Sequence, residues 1–276
     1  MNSPTPAWVS GGESTAGTLF HEPSFESVQE LRAYRKQVLV TAYRLFGAFG
    51  WGSLGDGHIT ARDPEQTNAM WLIRHGVPFH RTTTSDLVLV GPDGQVDSGD
   101  AINKTAYYIH APIHEARPEV VAVAHTHTPY ATPWAANVEL FQMICQEATA
   151  FFEDHSIFEG EEVQVSDFDT GKRIAAALGE TKAVLLRNHG PLTVGYSVEE
   201  AIGWFLLLER VAEVHVKARR AKPISDESAR NAATEIGHVG MALNAFEYAV
   251  MSKLPESQIW GDPRGSHTPA SLNRGA

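Results

Sequence analysis

The sequence predicts an α/β fold in which helices pack on a central sheet whose strands are largely antiparallel or mixed. Three observations carry this prediction. Strand-like and helix-like segments are interleaved without the strict alternation that a doubly wound parallel sheet requires. Two pairs of strand-like runs are joined by short glycine-containing turns, the connection that antiparallel neighbours use. Between a polar N-terminal stretch and a polar C-terminal stretch there is no linker and no internal repeat, so one domain over residues 25–254 is expected.

Residues 1–24 are rich in Ser, Gly, Pro and Thr and read as a flexible arm, and residues 255–276 have the same character and read as a flexible tail. Ser27 and Glu30 form an S-x-x-E capping box. It opens a helix whose apolar positions, Leu31, Tyr34, Val38, Leu39, Ala42, Leu45 and Phe46, recur at helical spacing up to Gly47. The glycine-dense segment 50–57 is a tight loop, and residues 58–62 are a short strand. Residues 87–90, 91–94 and 95–96 read as strand, turn and strand. Helical spacing over 105–115 ends before Pro118, and the β-branched apolar run 120–124 is a buried strand. Residues 140–144 are strand-like, 171–178 form a helix ended by Gly179, and 183–186 and 192–194 are strands flanking Asn188-His-Gly-Pro191. A second capping box, Ser197 to Glu200, opens a helix running to about residue 220, and a final helix spans about 226–251.

With 43% hydrophobic and 20% charged residues, the chain has the mixture of an ordinary globular protein. Its formal charge of −11 argues against nucleic acid or an anionic membrane as partner, since both would be repelled at long range. A small anionic substrate stays open, because a bound metal reverses the local field. The single cysteine, Cys145, rules out an internal disulfide and fits a small buried hydrophobe better than a nucleophile. The N-terminal stretch has no basic start followed by an apolar run, so no signal peptide is expected. No apolar run is long enough to span a bilayer, and a cytoplasmic location is the expectation.

The chemistry concentrates in Ala122-Val-Ala-His125-Thr-His127-Thr128-Pro129. Alternate side chains of a strand share a face, so two histidines two positions apart can aim at one point. They follow an apolar run, which puts them at the rim of a sheet. His189, in Leu185-Leu-Arg-Asn-His189-Gly190-Pro191, also leaves a buried strand through a glycine turn. Imidazole suits Zn, Fe, Ni or Cu. Three histidines meeting at strand ends would leave coordination positions for water or substrate, as catalytic metal sites do. An H-x-H pair alone is also compatible with ordinary polar residues at a strand end.

From about residue 31 to residue 216 the sequence resembles the class II aldolase/adducin family, which includes the bacterial fuculose-phosphate aldolases and the head domain of adducin. The matching pieces are Gly57-His-Ile-Thr-Ala-Arg62, Arg117-Pro-Glu-Val-Val-Ala-Val-Ala-His-Thr-His127, and Leu186-Arg-Asn-His-Gly190 followed by the capped helix. The resemblance implies a three-layer α/β/α sandwich and one divalent metal ion per subunit held by His125, His127 and His189. It also implies a homo-oligomer, commonly a four-fold symmetric tetramer with sites at subunit interfaces.

Two positions depart from the phosphosugar aldolases of that family. Their metal-binding, proton-transferring glutamate falls on Ala106, and an asparagine of their phosphate site falls on His58. Alanine neither ligates nor takes a proton, and basic residues near 82–85 are left as the only suggestion of an anion site. Three neutral imidazoles resemble the iron face of two histidines and one carboxylate, with imidazole in place of the carboxylate. Such a centre attracts small anionic chelators, for example 2-oxo or 2-hydroxy acids. Members outside sugar metabolism include decarboxylases and oxygenases of aminocoumarin antibiotic pathways that shorten an aromatic 2-oxo acid.

The leading expectation is therefore a metal-dependent oxygenase using Fe(II) and dioxygen to break a carbon–carbon bond beside a carboxylate. The alternatives are a non-oxidative lyase or decarboxylase using Zn or Mn, and a non-catalytic binding module like adducin. His110, one turn after Ala106, and His58 are candidates to orient substrate or move a proton. His114, a further turn along, is a weaker one. Glu147, beside Gln146, is the candidate replacement acid or base. Tyr130 and Trp134 are candidates for an aromatic pocket wall.

Overall fold

The computed structural model describes residues 22–96, 98–218 and 220–255. The predicted arm and tail lie outside these residues except for 22–24 and 255, and of these Glu22 forms a bidentate ion pair with Arg35.

Helix α1 (Val28–Ala48) starts where its capping box places it, with Ser27 Oγ accepting from the Glu30 N–H and the Glu30 carboxylate accepting from the Ser27 N–H. It runs past Gly47, which does not end it. A Cβ at Gly47 would lie 2.6 Å from the His80 backbone nitrogen, so the glycine serves a close crossing rather than a helix stop. Strand β1 (His58–Arg62) follows, then β2 (Met70–Ile73) and β3 (Leu87–Val90). The predicted strand at 95–96 contributes only a single bridge, Val90 to Val96.

Helix α2 (Lys104–Ala116) is capped by Asn103 and leads into β4 (Ala122–His125). A one-turn helix α3 (Ala131–Ala135) and a 3-10 turn at 147–151 flank residues 140–144, which were expected to be a strand. That stretch is a loop: its Phe141 and Gln142 N–H groups go to the His155 and His215 rings, and the Met143 carbonyl accepts from the Ile224 N–H rather than from a neighbouring strand. Strand β5 (Ser156–Phe158), helix α4 (Phe168–Leu178), and strands β6 (Ala183–Leu186) and β7 (Gly190–Gly195) complete the sheet.

Helix α5 (Val198–Lys217) begins at the predicted Ser197 cap. The final helical stretch is two helices, α6 (Asp226–Ile236) and α7 (Val239–Lys253). They separate at Gly237, whose carbonyl accepts from Lys182 Nζ at 3.1 Å, while His238 Nδ1 accepts the Gly240 N–H at 3.1 Å and caps the next helix. Helical periodicity continues through this break, which is why spacing alone merges the two.

The seven strands form one sheet in the order β3-β2-β1-β4-β7-β6-β5, antiparallel throughout except for β5 beside β6. Side-chain alternation divides the core between its two faces. Val123, Val184, Leu186, Leu192 and Val194 pack on Ile109 and Ile113 of α2 and Ile174 and Leu178 of α4. On the other face, Ala122 and Ala124 pack with Val38 and Leu45 of α1 and Ile202 and Phe205 of α5, which gives three layers.

Glycines let the helices of each outer layer touch. A Cβ at Gly203 of α5 would lie 1.9 Å from the Ala242 carbonyl of α7, and one at Gly171 of α4 1.9 Å from the Tyr108 carbonyl of α2. The Tyr108 carbonyl has no helical partner, since Pro112 has no N–H to offer it. Among the described residues no helix is long and apolar enough to cross a membrane.

Candidate metal centre

The centre lies where β4 leaves the sheet. β1 and β4 pair with His58 opposite His125, and the alternation of β1 sends His58, Thr60 and Arg62 toward α2. His125 is the last residue of β4, and the chain then turns sharply through residues 126–130. Two contacts hold that turn. Thr126 Oγ1 donates to the Asp56 carbonyl at 2.9 Å, and Gly57, at φ +104°, passes so close that a Cβ there would lie 2.3 Å from Thr126 Oγ1. From α5, the buried Glu209 carboxylate accepts from Thr128 Oγ1 at 2.6 Å and from the Tyr130 and Ala131 N–H groups at 3.0 and 2.9 Å. Burial pushes the Glu209 carboxyl above its ordinary value, while these donors pull it down.

His189 arrives from the β6–β7 turn. Asn188 before it sits at φ +54°, a left-handed conformation that asparagine tolerates, and Gly190 after it at φ +152°. One nitrogen each of His125, His127 and His189 lies within 4.8 Å of the others. The ring centroids are 4.7 Å apart for His125 and His189, 5.0 Å for His127 and His189, and 5.4 Å for His125 and His127.

The donor set fits a divalent cation. A carbonyl oxygen accepts only, so the 2.8 Å contact between His125 Nδ1 and the Pro191 carbonyl puts the proton on Nδ1 and leaves Nε2 as a bare lone pair. Burial, then the neighbouring histidines, hold His125 well below the ordinary imidazole value. Burial and then His127 hold His189 down at about 4. Both rings are therefore neutral at pH 7, the form a metal requires. His127 is the exposed member, its side chain 41% accessible, with Nδ1 3.7 Å from the Asp56 carboxylate. The cluster thus has His125 buried, His189 half-buried and His127 at the solvent edge, which leaves a side open to substrate.

A second group of polar residues stands behind the triad. His58 lies with its ring 4.9 Å from that of His125, and its Nδ1 meets His110 Nε2 at 2.8 Å. His110 Nδ1 meets Thr60 Oγ1 at 2.8 Å, Thr60 Oγ1 meets His114 Nε2 at 3.0 Å, and the Arg62 guanidinium lies 3.2 Å from His114 Nδ1. Burial lowers all three histidines, His114 to about 3. Ala106, one turn before His110, is fully buried in the core, and α2 brings no carboxylate to the triad at that position.

The structure thus brings His58 and His110 to the three expected ligands. Glu147 opens the 3-10 turn at 147–151, where it meets Cys145 rather than the histidines. Trp134 stacks on Phe141 and Tyr130 packs against the same cluster, so both belong to a local core. In the 82–85 region, Thr83 and Ser85 bond each other and Thr83 bonds Asp86, which also binds Arg74.

Residues that spacing did not single out are Asp56, Thr60, Arg62 and Glu209. Thr60 and Arg62 lie in the quoted segment around His58, but their role depends on α2, about fifty residues away in sequence. Glu209 reaches the turn from 78 to 81 residues away, a distance no local motif spans.

Comparison with known proteins agrees with this architecture. The family model described as Class II Aldolase and Adducin N-terminal domain matches residues 37–216. A 4-hydroxy-3-prenylphenylpyruvate oxygenase/4-hydroxy-3-prenylbenzoate synthase of Streptomyces roseochromogenus subsp. oscitans is 36% identical over 259 residues, covering 91% of this chain and 94% of the relative. Decarboxylase NovR of Streptomyces niveus is 37% identical over 247 residues, covering 87% of this chain and 90% of the relative. Among solved structures, an L-fuculose 1-phosphate aldolase from Glaciozyma antarctica superposes with a TM-score of 0.78 at 31% identity, covering 87% of this chain and 96% of that one.

Proposed function

We propose, from the premise that the chain belongs to the class II aldolase and adducin family and is an enzyme, that it is a non-haem Fe(II) oxygenase acting on a small 2-oxo or 2-hydroxy acid. The observation that carries this reading is a three-histidine cluster with buried Ala106 where a phosphosugar aldolase would carry its proton-transferring glutamate. One divalent ion held by His125, His127 and His189 would supply a Lewis acid and, as Fe(II), a centre able to react with dioxygen.

The chain's own residues do the rest. Three neutral ligands leave the ion's double charge uncompensated, so the site favours an anionic chelator binding through two oxygens. The side bounded by the solvent-exposed His127 admits it. His58 and His110, buried against His125, orient the substrate or hold a proton beside it. The bond cleaved is the carbon–carbon bond next to the carboxylate, an oxidative decarboxylation. An aromatic 2-oxo acid is the favoured substrate, because the oxygenase relative carries a phenylpyruvate in its name and matches over nine-tenths of both chains. The active form is proposed to be a homo-oligomer, the tetramer that the family resemblance implies.

A non-oxidative decarboxylase or lyase using Zn or Mn is the second reading, favoured by the similarity to Decarboxylase NovR. The two separate in one assay. Protein reconstituted with Fe(II) is given phenylpyruvate and 4-hydroxyphenylpyruvate with dioxygen present and then rigorously removed. The oxygenase reading expects carbon dioxide release and oxygen uptake together, and neither without oxygen. Carbon dioxide release that continues at the same rate without oxygen selects the second reading.

A further inference from the structure

A run of hydrogen bonds behind the metal centre ends on a group that can only donate, and this fixes the direction of every bond in it. Arg62 Nη2 donates to the His114 carbonyl at 2.6 Å and the Arg117 carbonyl at 3.1 Å, and it lies 3.2 Å from His114 Nδ1. A proton on that Nδ1 would face the guanidinium N–H directly, so Nδ1 is bare and the His114 proton sits on Nε2. The Val120 carbonyl accepts from Arg62 Nε at 3.0 Å and has a second lone pair near the ring, but a proton sent to it from Nδ1 would crowd the Arg62 Nη2 N–H aimed at the same nitrogen. His114 Nε2–H then donates to Thr60 Oγ1, and the single Thr60 proton is left for His110 Nδ1. His110 carries its own proton on Nε2 and gives it to His58 Nδ1. His58, with Nδ1 accepting, must be protonated on Nε2.

We propose that Arg62, acting through His114, Thr60 and His110, locks His58 in the tautomer that presents an Nε2–H donor, not a lone pair, at the metal centre. Three consequences follow. His58 is not a fourth metal ligand, and the centre stays at three nitrogens although a fourth imidazole lies 4.9 Å from His125. His58 is not a general base. It is instead a fixed hydrogen-bond donor for an oxygen bearing negative charge, such as the carboxylate or keto oxygen of a chelating acid. No partner among the described residues meets that nitrogen, so it is available to a ligand. Arg62, His114, Thr60 and His110 are positioning residues in this scheme. The tautomer rests on hydrogen bonds alone, and only its use on a substrate rests on the proposed function.

The test reads tautomers directly, on metal-free protein, so that its failure leaves the metal reading to its own experiment. Two-bond 1H–15N correlation spectra at neutral pH distinguish a protonated from a bare ring nitrogen. Expected are Nε2–H tautomers for His58, His110 and His114, and the Nδ1–H tautomer for His125, whose lock on Pro191 is independent of the relay. A His58 protonated on Nδ1 overturns the proposal. Thr60→Val keeps a β-branched residue in the strand and cuts the relay in the middle. It should turn the single His58 tautomer into a mixture while leaving His125 unchanged. A His58 spectrum identical to the parent's would show that the relay does not set its tautomer. If the variant does not fold, the spectrum of the unaltered protein still decides.

Discussion

His125 and His127 are two residues apart and are held by different means. His125 is buried and locked by a backbone carbonyl, whereas His127 stands at the solvent edge with the Asp56 carboxylate beside its Nδ1. Carboxylates behind metal-binding imidazoles orient the ring and raise its basicity, and losing one costs about 10–100-fold in metal affinity. Asp56→Asn, which keeps a side-chain oxygen for the Leu54 N–H, is therefore expected to weaken metal binding about tenfold in a chelator competition; unchanged affinity would remove Asp56 from the site. At this scale the sequence was informative where chemistry is periodic. The two-residue spacing of H-x-H and the glycine after His189 are visible in one dimension. Asp56, by contrast, is one acidic residue in a glycine-rich loop, and only the turn at 126–130 brings it against His127.

The element that departs most from its sequence pattern is the segment 136–146. Its apolar run resembles a strand, yet two histidines from other elements hold it as a loop. His155 Nδ1–H donates to the Phe151 carbonyl at 2.7 Å and its Nε2 accepts the Phe141 N–H at 2.8 Å. His215 Nδ1–H donates to the Val211 carbonyl at 2.8 Å and its Nε2 accepts the Gln142 N–H at 2.9 Å. Burial lowers both histidines below 6.5; Asp154 and the Phe151 carbonyl pull His155 back up, and His215 opposes them. Between 6.5 and these lowered values the opened segment binds more protons than the closed one, so closure is complete above pH 6.5 and weakens as pH falls below it. Each histidine can raise the open population by up to about tenfold per pH unit. Hydrogen exchange, expressed as protection factors, should show the Phe141 and Gln142 amides losing protection below pH 6.5 while those of β4 keep theirs. Equal behaviour of the two sets would contradict the clamp. The helices with caps, α1 and α5, were legible to within a few residues because capping is local. The α6–α7 break was not, since the Lys182 ammonium that takes the Gly237 carbonyl comes from the far end of the α4–β6 connection.

Across the whole molecule, the sheet order places β1, β4 and β7 side by side, and their ends bring His58, His125 and the turn bearing His189 together. Mixed α/β character was readable from interleaved periodicities, while the order β3-β2-β1-β4-β7-β6-β5 and the parallel β5 depend on pairings that no single segment encodes. Because the metal would tie β4 to the β6–β7 turn, binding should stabilise the fold as a unit. A divalent ion at 100 times its Kd contributes about 2.7 kcal/mol. For a chain of this size that is a rise in Tm of roughly 5–10 °C, read by differential scanning calorimetry and reversed by a chelator. A Tm indifferent to metal would place any bound ion outside the core connection. The most direct measurement is the metal content of the folded protein and of His127→Ala after reconstitution with Fe(II) and removal of free ion. His127 is exposed, so its truncation leaves the core intact. One iron per chain in the parent and a near-complete loss in the variant, with matching circular dichroism, is the predicted result. Retention of one tightly bound iron by the variant would contradict the three-histidine centre.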